Sequence, residues 1–276
     1  MAISKENLKY FFYLFKTESG LDLDDSKLYL MESRLEPLAR NEGFTSIDEL
    51  GWLLQTNPSS SLRQKVVEVM TTGETSFFRD LAPFELIKNE IIPTIIKQKE
   101  KSIHKIRIWN AACSTGQEPY SIAILISELK ELIGSWDIEI LATDLSEKAL
   151  EKAKLGKYSK FEVQRGLPIA YLIKYFTQKL DEWDVKPEIK RMIHFQNLNF
   201  LKDHFPSGPF DIILCRNVLI YFDAETKRNV LEKMTRVMSK ESVFLLGGSE
   251  TTIGISDLLT RIQGEKGTYY KKPAVK

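Results

Sequence analysis

The residues that could do chemistry stand at the ends of short apolar runs. The stretch Ile106-Arg-Ile-Trp-Asn-Ala-Ala-Cys-Ser-Thr-Gly-Gln-Glu-Pro-Tyr-Ser-Ile122 carries an apolar run to Trp109. It passes through small residues (Ala111, Ala112, Ser114, Thr115, Gly116) and reopens as an apolar-periodic segment after Glu118-Pro119. That order predicts strand, tight loop and helix, with a proline in the first turn, where its missing N–H costs nothing. Small side chains such as Ala112 let a ligand approach the backbone, and the helix start offers free N–H groups. Two further groups sit at equivalent places. Ile138 to Asp144 reads as a buried strand ending in an acid, and Phe210 to Cys215 as a buried strand followed by Arg216, Asn217 and Tyr221.

In doubly wound sheets this edge binds nucleotide-type ligands, and an acid at the tip of the next strand can accept hydrogen bonds from ribose hydroxyls. The loop has no Gly-Lys-Ser/Thr, and Gly116 is its one glycine where a dinucleotide fingerprint wants three. A cofactor without phosphates, such as S-adenosylmethionine, needs neither device. The alternatives stay open: a strand–helix turn with no ligand, and for Asp144 a capping or turn aspartate. The ribose role is favoured for Asp144 because of the loop before it.

The elements that must position these groups follow in chain order. Residues 1 to about 70 read as helical. Leu8, Phe11, Phe12 and Phe15 recur with helical period and stop at Gly20, and Leu28, Met31, Leu35 and Leu38 mark a second helix ending near Gly43. Ser46-Ile-Asp-Glu49 reads as a capping box, Asn57-Pro58 as a break, and Ser61-Leu-Arg-Gln64 as the cap of a fourth helix. Thr71 to Asp80 then crowds hydroxyls, Phe77, Phe78 and Arg79 between two helices, either as a functional loop or as an apolar-anchored linker. A helix from Pro83 to Lys97 leads into the first strand.

Residues from about 158 to 195 are irregular and long for a crossover, which suggests an inserted subdomain with short strands at Trp183-Asp-Val and Arg191 to Phe195. A helix from about Ala224 to Met238, a strand from Ser242 to Leu246, Gly247-Gly-Ser-Glu250 and a terminal strand at Gly267 to Lys271 complete the pattern.

Composition narrows the function classes. With 276 residues there is room for one large core and a small companion domain. A net charge of +1 argues against a broad nucleic-acid or anionic-membrane footprint. The three histidines show no metal-ligand spacing, and Cys113 and Cys215, each at a strand end, read as small buried residues. No apolar run reaches membrane-span length, and Met-Ala-Ile-Ser-Lys-Glu-Asn lacks a signal peptide's apolar core. The expectation is a cytoplasmic protein without a metal.

Several motifs in one order carry a resemblance: Thr75-Ser-Phe-Phe-Arg79, Ala112-Cys-Ser-Thr-Gly-Gln-Glu-Pro-Tyr-Ser121, Ala142-Thr-Asp-Leu-Ser, Arg165-Gly-Leu-Pro168, Phe210 to Asp223 and Gly247-Gly-Ser-Glu250. Along nearly its whole length the chain resembles the bacterial chemotaxis receptor methyltransferases, the CheR family. The resemblance implies an α/β fold, a doubly wound, mostly parallel sheet of the class I methyltransferase type. A small antiparallel β-subdomain is inserted in it and an all-α N-terminal domain precedes it. The implied division is 1–72 helical, 73–82 a linker with site residues, and 83–276 the cofactor domain with the insertion at about 158–195.

The implied activity is methyl transfer from S-adenosylmethionine to glutamate carboxylates on chemoreceptor cytoplasmic helices, leaving S-adenosylhomocysteine. By the same resemblance Thr75 and Arg79 contact the reacting end of the cofactor. Glu118 is an acid in its pocket, Asp144 the ribose acid, and Asn199-Phe200 flank the adenine. Arg216, Asn217 and Tyr221 form the strand-end site, with Arg79 and Tyr221 catalytic. Gly73 stands where the family usually has a contacting Asn, and Gln117 where it often has Glu.

Two other classes compete: a cofactor-binding regulator without catalysis, opposed by the intact Arg79 and Tyr221, and a methyltransferase for a small molecule or nucleic acid, disfavoured by the near-neutral charge. The expected partner is the receptor's methylation helices, with no nucleic acid, membrane proximity only through the receptor, and a monomeric enzyme. The segment Tyr175 to Val185 reads as a hairpin with a short glycine-free turn. Members that grip the receptor's C-terminal peptide have a longer, glycine-rich loop there, so no C-terminal tether is expected.

Overall fold

A computed structural model describes residues 3–56, 60–100 and 104–273, so the expected break at Asn57-Pro58 lies outside the described residues. The chain forms two compact units. One comprises Met1–Thr72, Asn199–Asp203 and Tyr221–Lys227; the other comprises Gly73–Leu198, His204–Ile220 and Arg228–Lys276. Residues 73–82, set apart as a linker on sequence grounds, cluster inside the second unit. Two short distant segments join the first unit, where Asn199 Nδ2 donates to the Glu18 carbonyl at 2.7 Å and Asp22 N–H to the Tyr221 carbonyl at 2.9 Å. Bonds between residues this far apart leave no local signature.

The first unit carries helices α1 (Lys5–Ser19), α2 (Leu28–Asn41), α3 (Ile47–Thr56) and α4 (Ser60–Met70). Ser4 caps α1 by accepting from Asn7 N–H, and Gly20 ends it at φ +79°, the left-handed conformation that glycine adopts without strain. Of the expected period Phe11 and Phe15 are fully buried while Leu8 and Phe12 are half-buried, and Leu14, outside it, completes the covered face. Ser46 accepts from Glu49 N–H at 3.1 Å, but the Glu49 carboxylate reaches Thr45 N–H at 2.7 Å instead of Ser46. The expected capping box is therefore closed on one side only. Helix α4 already begins at Ser60, so Ser61 lies within its first turn rather than capping it.

In the second unit, α5 (Ala82–Leu86) and α6 (Ile92–Lys99) are joined by a π-helical turn at Ile87–Ile91. Pro93 has no N–H to give the preceding turn, and a wider turn directly before it accommodates the lost bond. The chain continues through β1 (Lys105–Ala111), α7 (Gln117–Glu128), α8 (Lys130–Ile133), β2 (Asp137–Asp144) and α9 (Glu147–Leu155). Then come β3 (Lys157–Ser159), α10 (Lys160–Gln164), α11 (Ile169–Tyr175), β4 (Phe176–Lys179), β5 (Glu182–Val185) and α12 (Pro187–Lys190). It ends with β6 (Ile193–Asn197), β7 (Phe210–Cys215), α13 (Ala224–Arg236), β8 (Met238–Leu246), β9 (Thr260–Gln263) and β10 (Thr268–Lys271).

The large sheet has the order β6-β2-β1-β7-β8-β10-β9. The strands from β6 to β8 run parallel, and β10 and β9 are antiparallel additions at one edge. All six residues of β7 are buried, as a strand covered on both faces demands. The chain crosses from β1 to β2 on one side and returns to β7 on the other, which opens a crevice at the C-terminal ends of β1 and β7.

A separate antiparallel sheet has the order β3-β5-β4. The insertion is shorter than expected: Ile193 to Phe195, placed inside it from sequence, pair with Ile140 to Ala142 of β2. Alternating burial of Ile193 and Phe195 marks a strand but cannot say which sheet it joins. Strand β9, Thr-Arg-Ile-Gln, was not anticipated; it is an exposed edge strand without apolar alternation.

Candidate functional site

Three loops meet at the crevice, and backbone geometry fixes the first. After β1, Ala112 and Ser114 take φ +63° and +50° and Gly116 +94°. A Cβ on Gly116 would come within 2.8 Å of the Ala153 Cβ and 3.0 Å of the Tyr158 hydroxyl, so glycine is required where α7 begins. Tyr158 Oη donates to the Thr115 carbonyl at 2.7 Å, and Cys113 N–H to the Thr143 carbonyl at 2.9 Å.

Asp144, at the tip of β2, closes this arrangement. One carboxylate oxygen accepts from Ser114 N–H at 2.7 Å, the other from Ser146 N–H at 2.9 Å. Ser146 also caps α9. On the protein's side the carboxylate fills the turn role weighed from sequence and holds the first loop as well.

The segment Gly73 to Asp80 is anchored by its two phenylalanines. Phe77 lies edge-on to Tyr158 and Phe176, with centroids at 5.0 and 5.5 Å, and Phe78 packs on Phe84 and Tyr171 while its N–H donates to Ser121 Oγ at 2.9 Å. A Cβ on Gly166 would lie 2.1 Å from the Phe77 carbonyl oxygen, which explains the tight turn at Arg165 to Pro168. Ser114 Oγ donates to the Gly73 carbonyl at 2.7 Å, tying this segment to the first loop. Gly73 therefore contributes backbone where a side chain is absent. Thr75 is half-buried in the same segment. Arg79 is half-buried, donates to the Glu74 carbonyl at 3.2 Å and makes no ion pair among the described residues.

Beneath lies a buried charge network. The Arg216 side chain is 1% exposed; Nη1 pairs with the Glu118 carboxylate, and Nη2 reaches Asp80 Oδ2 at 2.7 Å and the Arg79 carbonyl at 3.0 Å. Asn110 Nδ2 donates to the other Glu118 oxygen at 2.6 Å. Glu118 and Arg216, both assigned to the cofactor by resemblance, are thus brought together as a pair that supports the Arg79 backbone. Asn110 Oδ1 and Arg216 Nε have no hydrogen-bond partner among the described residues. Asn110 escaped the sequence reading; its one signal was an amide inside an otherwise apolar strand end.

Asn217 adopts φ +58°, and Glu250 holds it. The Glu250 carboxylate accepts from the N–H groups of Asn217, Val218, Leu219, Ile220 and Gly247, at 2.7 to 3.3 Å. A Cβ on Gly247 would meet Asn217 Nδ2 at 2.7 Å. Glu250 was part of a quoted motif but had no role assigned from sequence. Cys113 and Cys215 are free and buried, and burial pushes both thiols well up, which leaves neither as a thiolate nucleophile.

Asn199, Phe200 and Tyr221 belong by their contacts to the first unit. The Asn199 amide is engaged there, donating to the Glu18 carbonyl and accepting from Leu201 N–H at 2.9 Å. Phe200 is buried and Tyr221 half-buried at the end of a 3-10 turn, Leu219–Tyr221.

Parallel strands reversing beside a small-residue loop, with an acid at the next strand tip, form a doubly wound sheet with the ligand-binding edge expected of the class I methyltransferase type. The residues fit S-adenosylmethionine: Ala112, Ser114 and Thr115 are small and half-buried at the crevice, Asp144 puts a carboxylate at the next strand tip, and Asn110 Oδ1 is a buried acceptor without a partner among the described residues. Comparison with known proteins agrees. Residues 6–71 match the all-alpha domain of CheR methyltransferases, and residues 73–268 match their SAM binding domain. A chemotaxis protein methyltransferase Cher2 of Pseudomonas putida is 37% identical over 98% of this chain and 99% of its own. The chemotaxis protein methyltransferase 1 of Pseudomonas aeruginosa is 38% identical over the same shares, and a chemotaxis protein methyltransferase of Vibrio parahaemolyticus is 36% identical over 98% of each chain. The chain belongs to the CheR methyltransferase family.

Proposed function

We propose that Gly73, Thr75, Arg79, Ala112, Glu118, Asp144, Asn199, Phe200, Arg216 and Asn217 serve the cofactor, with Arg79 and Tyr221 catalytic. The chain is an S-adenosylmethionine-dependent methyltransferase that forms glutamate methyl esters on chemoreceptors. The observation that carries the assignment is Arg79: a half-buried guanidinium whose one partner among the described residues is a carbonyl, on a segment locked by Phe77 and Phe78. Its charge is available for a carboxylate through charge-assisted hydrogen bonds.

When bound, the cofactor supplies an already activated sulfonium methyl. The substrate glutamate is ionised at neutral pH, its reference pKa being about 4.3, so no general base is needed. The protein's part is alignment. Asp144 accepts ribose hydroxyls, the Ala112–Gly116 loop admits close approach, and the Glu118–Arg216 pair holds the backbone that carries Arg79. Arg79 positions the carboxylate and the Tyr221 hydroxyl orients it; a fully paired carboxylate would be a duller nucleophile. Ordering the reactants in this way removes part of the barrier.

Single-turnover rates should therefore rise as the substrate carboxylate ionises and stay flat through neutral pH. Arg79→Ala and Tyr221→Phe should slow the transfer while leaving thermal unfolding unchanged. A steep dependence on a group titrating near 7 would reveal a base and sink the alignment mechanism.

The proposed partner is the receptor's methylation helices, docked directly by a monomeric cytoplasmic enzyme that approaches the membrane only through the receptor. Among the described residues no helix is long and apolar enough to cross a membrane. Direct docking is supported by the β4–β5 hairpin. Lys179 and Glu182 pair across a two-residue turn, Leu180 at its tip adopts φ +54° without glycine, and Lys179 binds Asp184 at 2.6 Å. Such a closed hairpin has little freedom to reshape around an added strand. Receptor truncated at its C-terminus should be methylated about as fast as the full-length protein. A large loss of rate on truncation, or micromolar binding of the isolated terminal peptide, overturns direct docking.

A further inference from the structure

In the second unit, the loop after β8 is fastened to the loop after β7 through one carboxylate. Gly247-Gly-Ser-Glu250 folds back on itself, with Glu250 N–H donating to the Gly247 carbonyl at 3.0 Å. The two oxygens of the Glu250 side chain divide the work. Oε2 accepts from Asn217 N–H and Gly247 N–H, both at 2.7 Å, and so bridges the ends of the paired strands. Oε1 accepts from Val218, Leu219 and Ile220 N–H at 3.0, 2.8 and 3.3 Å, donors that the start of a helical turn leaves free.

Asn217 is the residue that this arrangement controls. It leaves β7 at φ +58°, in the left-handed region, where a non-glycine residue persists when its surroundings over-determine it. The bonds from Glu250 to its own N–H and to the three that follow do so. Gly247 adds a steric condition. A Cβ there would lie 2.7 Å from Asn217 Nδ2 and 2.8 Å from Glu250 Oε2, so the bare glycine leaves room for the amide beside the carboxylate. The preceding residue, Arg216, is held separately by Glu118 and Asp80. Two independent devices therefore place the Arg216-Asn217 pair, one for each residue.

We infer that Glu250 is a positioning residue for methyl transfer: with Gly247 it sets the Asn217 side chain towards the cofactor and fixes the start of the turn that leads to Tyr221. The inference rests on the functional reading above, which gives Asn217 to the cofactor and Tyr221 to the reaction. All five hydrogen-bond neighbours of the carboxylate are donors. A glutamine is nearly isosteric but has one acceptor oxygen and an NH2. Glu250→Gln must therefore present that NH2 either to Asn217 and Gly247 or to Val218, Leu219 and Ile220, and one set of N–H groups loses its acceptor.

The test uses the full chain and a receptor cytoplasmic fragment, below the unfolding transition of every variant. Calorimetry reads S-adenosylhomocysteine affinity, and steady-state methylation reads kcat and receptor KM. Glu250→Gln should weaken S-adenosylhomocysteine about tenfold and lower kcat by about ten- to a hundredfold. Receptor KM should stay within about twofold of the parent, because no contact to the receptor is removed. Glu250→Asp, which keeps the charge on a shorter stem, should recover part of both losses. Gly247→Ala leaves the carboxylate in place and displaces the Asn217 amide. It should show the same split, and it decides the matter if Glu250→Gln does not fold. Asn217→Ala should also weaken the cofactor, and adding Glu250→Gln to it should reduce affinity little further, since the two act through one contact. A role confined to stability gives another result: lower melting temperatures, with affinity and kcat of the folded variants within about twofold of the parent. That result, or losses in Glu250→Gln and Asn217→Ala that simply multiply, overturns the inference. If instead the parent binds no S-adenosylhomocysteine or transfers no methyl to the fragment, the functional reading itself fails.

Discussion

Replacing Arg216 with alanine is expected to remove about 3–5 kcal/mol of folding stability, because it strands the Glu118 carboxylate without a cation. That carboxylate is 11% exposed and would keep Asn110 as its one remaining side-chain partner. The loss also frees the Arg79 carbonyl, which Arg216 Nη2 holds at 3.0 Å. Arg216→Lys should recover only part of the loss, since an ammonium cannot span Glu118, Asp80 and the carbonyl as the guanidinium fork does. Asp80→Ala, by contrast, removes a partner that is half exposed and should cost under about 1 kcal/mol. Urea titration of the three variants checks the ranking. A loss below about 1 kcal/mol for Arg216→Ala would mean that the network is not the support described.

Asp144→Ala is expected to weaken S-adenosylmethionine binding by about 1.5–3 kcal/mol for each hydrogen bond that the carboxylate gives the ribose. With one or two such bonds that is at least about tenfold in Kd. Part of the effect comes from the protein itself, because the same oxygens fix Ser114 and Ser146 N–H groups. Asp144→Asn separates the two contributions: it keeps an acceptor for one N–H and loses the charge, so it should lie between parent and alanine variant. NAD and ATP should bind poorly to the parent. Calorimetry that finds tight NAD binding, or unchanged S-adenosylmethionine affinity in Asp144→Ala, overturns the ribose assignment.

How far the molecule could be read before folding differs from element to element. The cores of β1, β2 and β7, the stop at Gly20 and the cap at Ser146 were legible because each depends on a few neighbouring residues. The crevice at β1 and β7 was legible for the same reason, since short strands ending in small or polar residues mark the open edge of a parallel sheet. Where sequence reasoning erred, the missing information was a partner. Arg191 to Phe195 was seen as a short strand yet attached to the insertion, because an apolar period says that one face is covered and not by what; Ile193 to Asn197 in fact pair with β2. Thr260–Gln263 has no apolar period at all and became a strand only because Tyr270 and its neighbours pair with it.

The candidate site divides in the same way. Sequence alone determined the kind of protein this is: a helical segment, a small-residue loop before a helix, an acid at a strand tip, and the ordered motifs that mark the CheR methyltransferase family. Tertiary structure alone decided what those residues do for one another. Glu118 and Arg216 are 98 positions apart and share a buried pair; Glu250 holds amides some thirty positions away; and Asn199 turns its amide to Glu18. The physical reason is that local propensity and period act over one or two turns of chain, whereas a charge or amide taken out of water must find its partner wherever the fold brings one within hydrogen-bond distance.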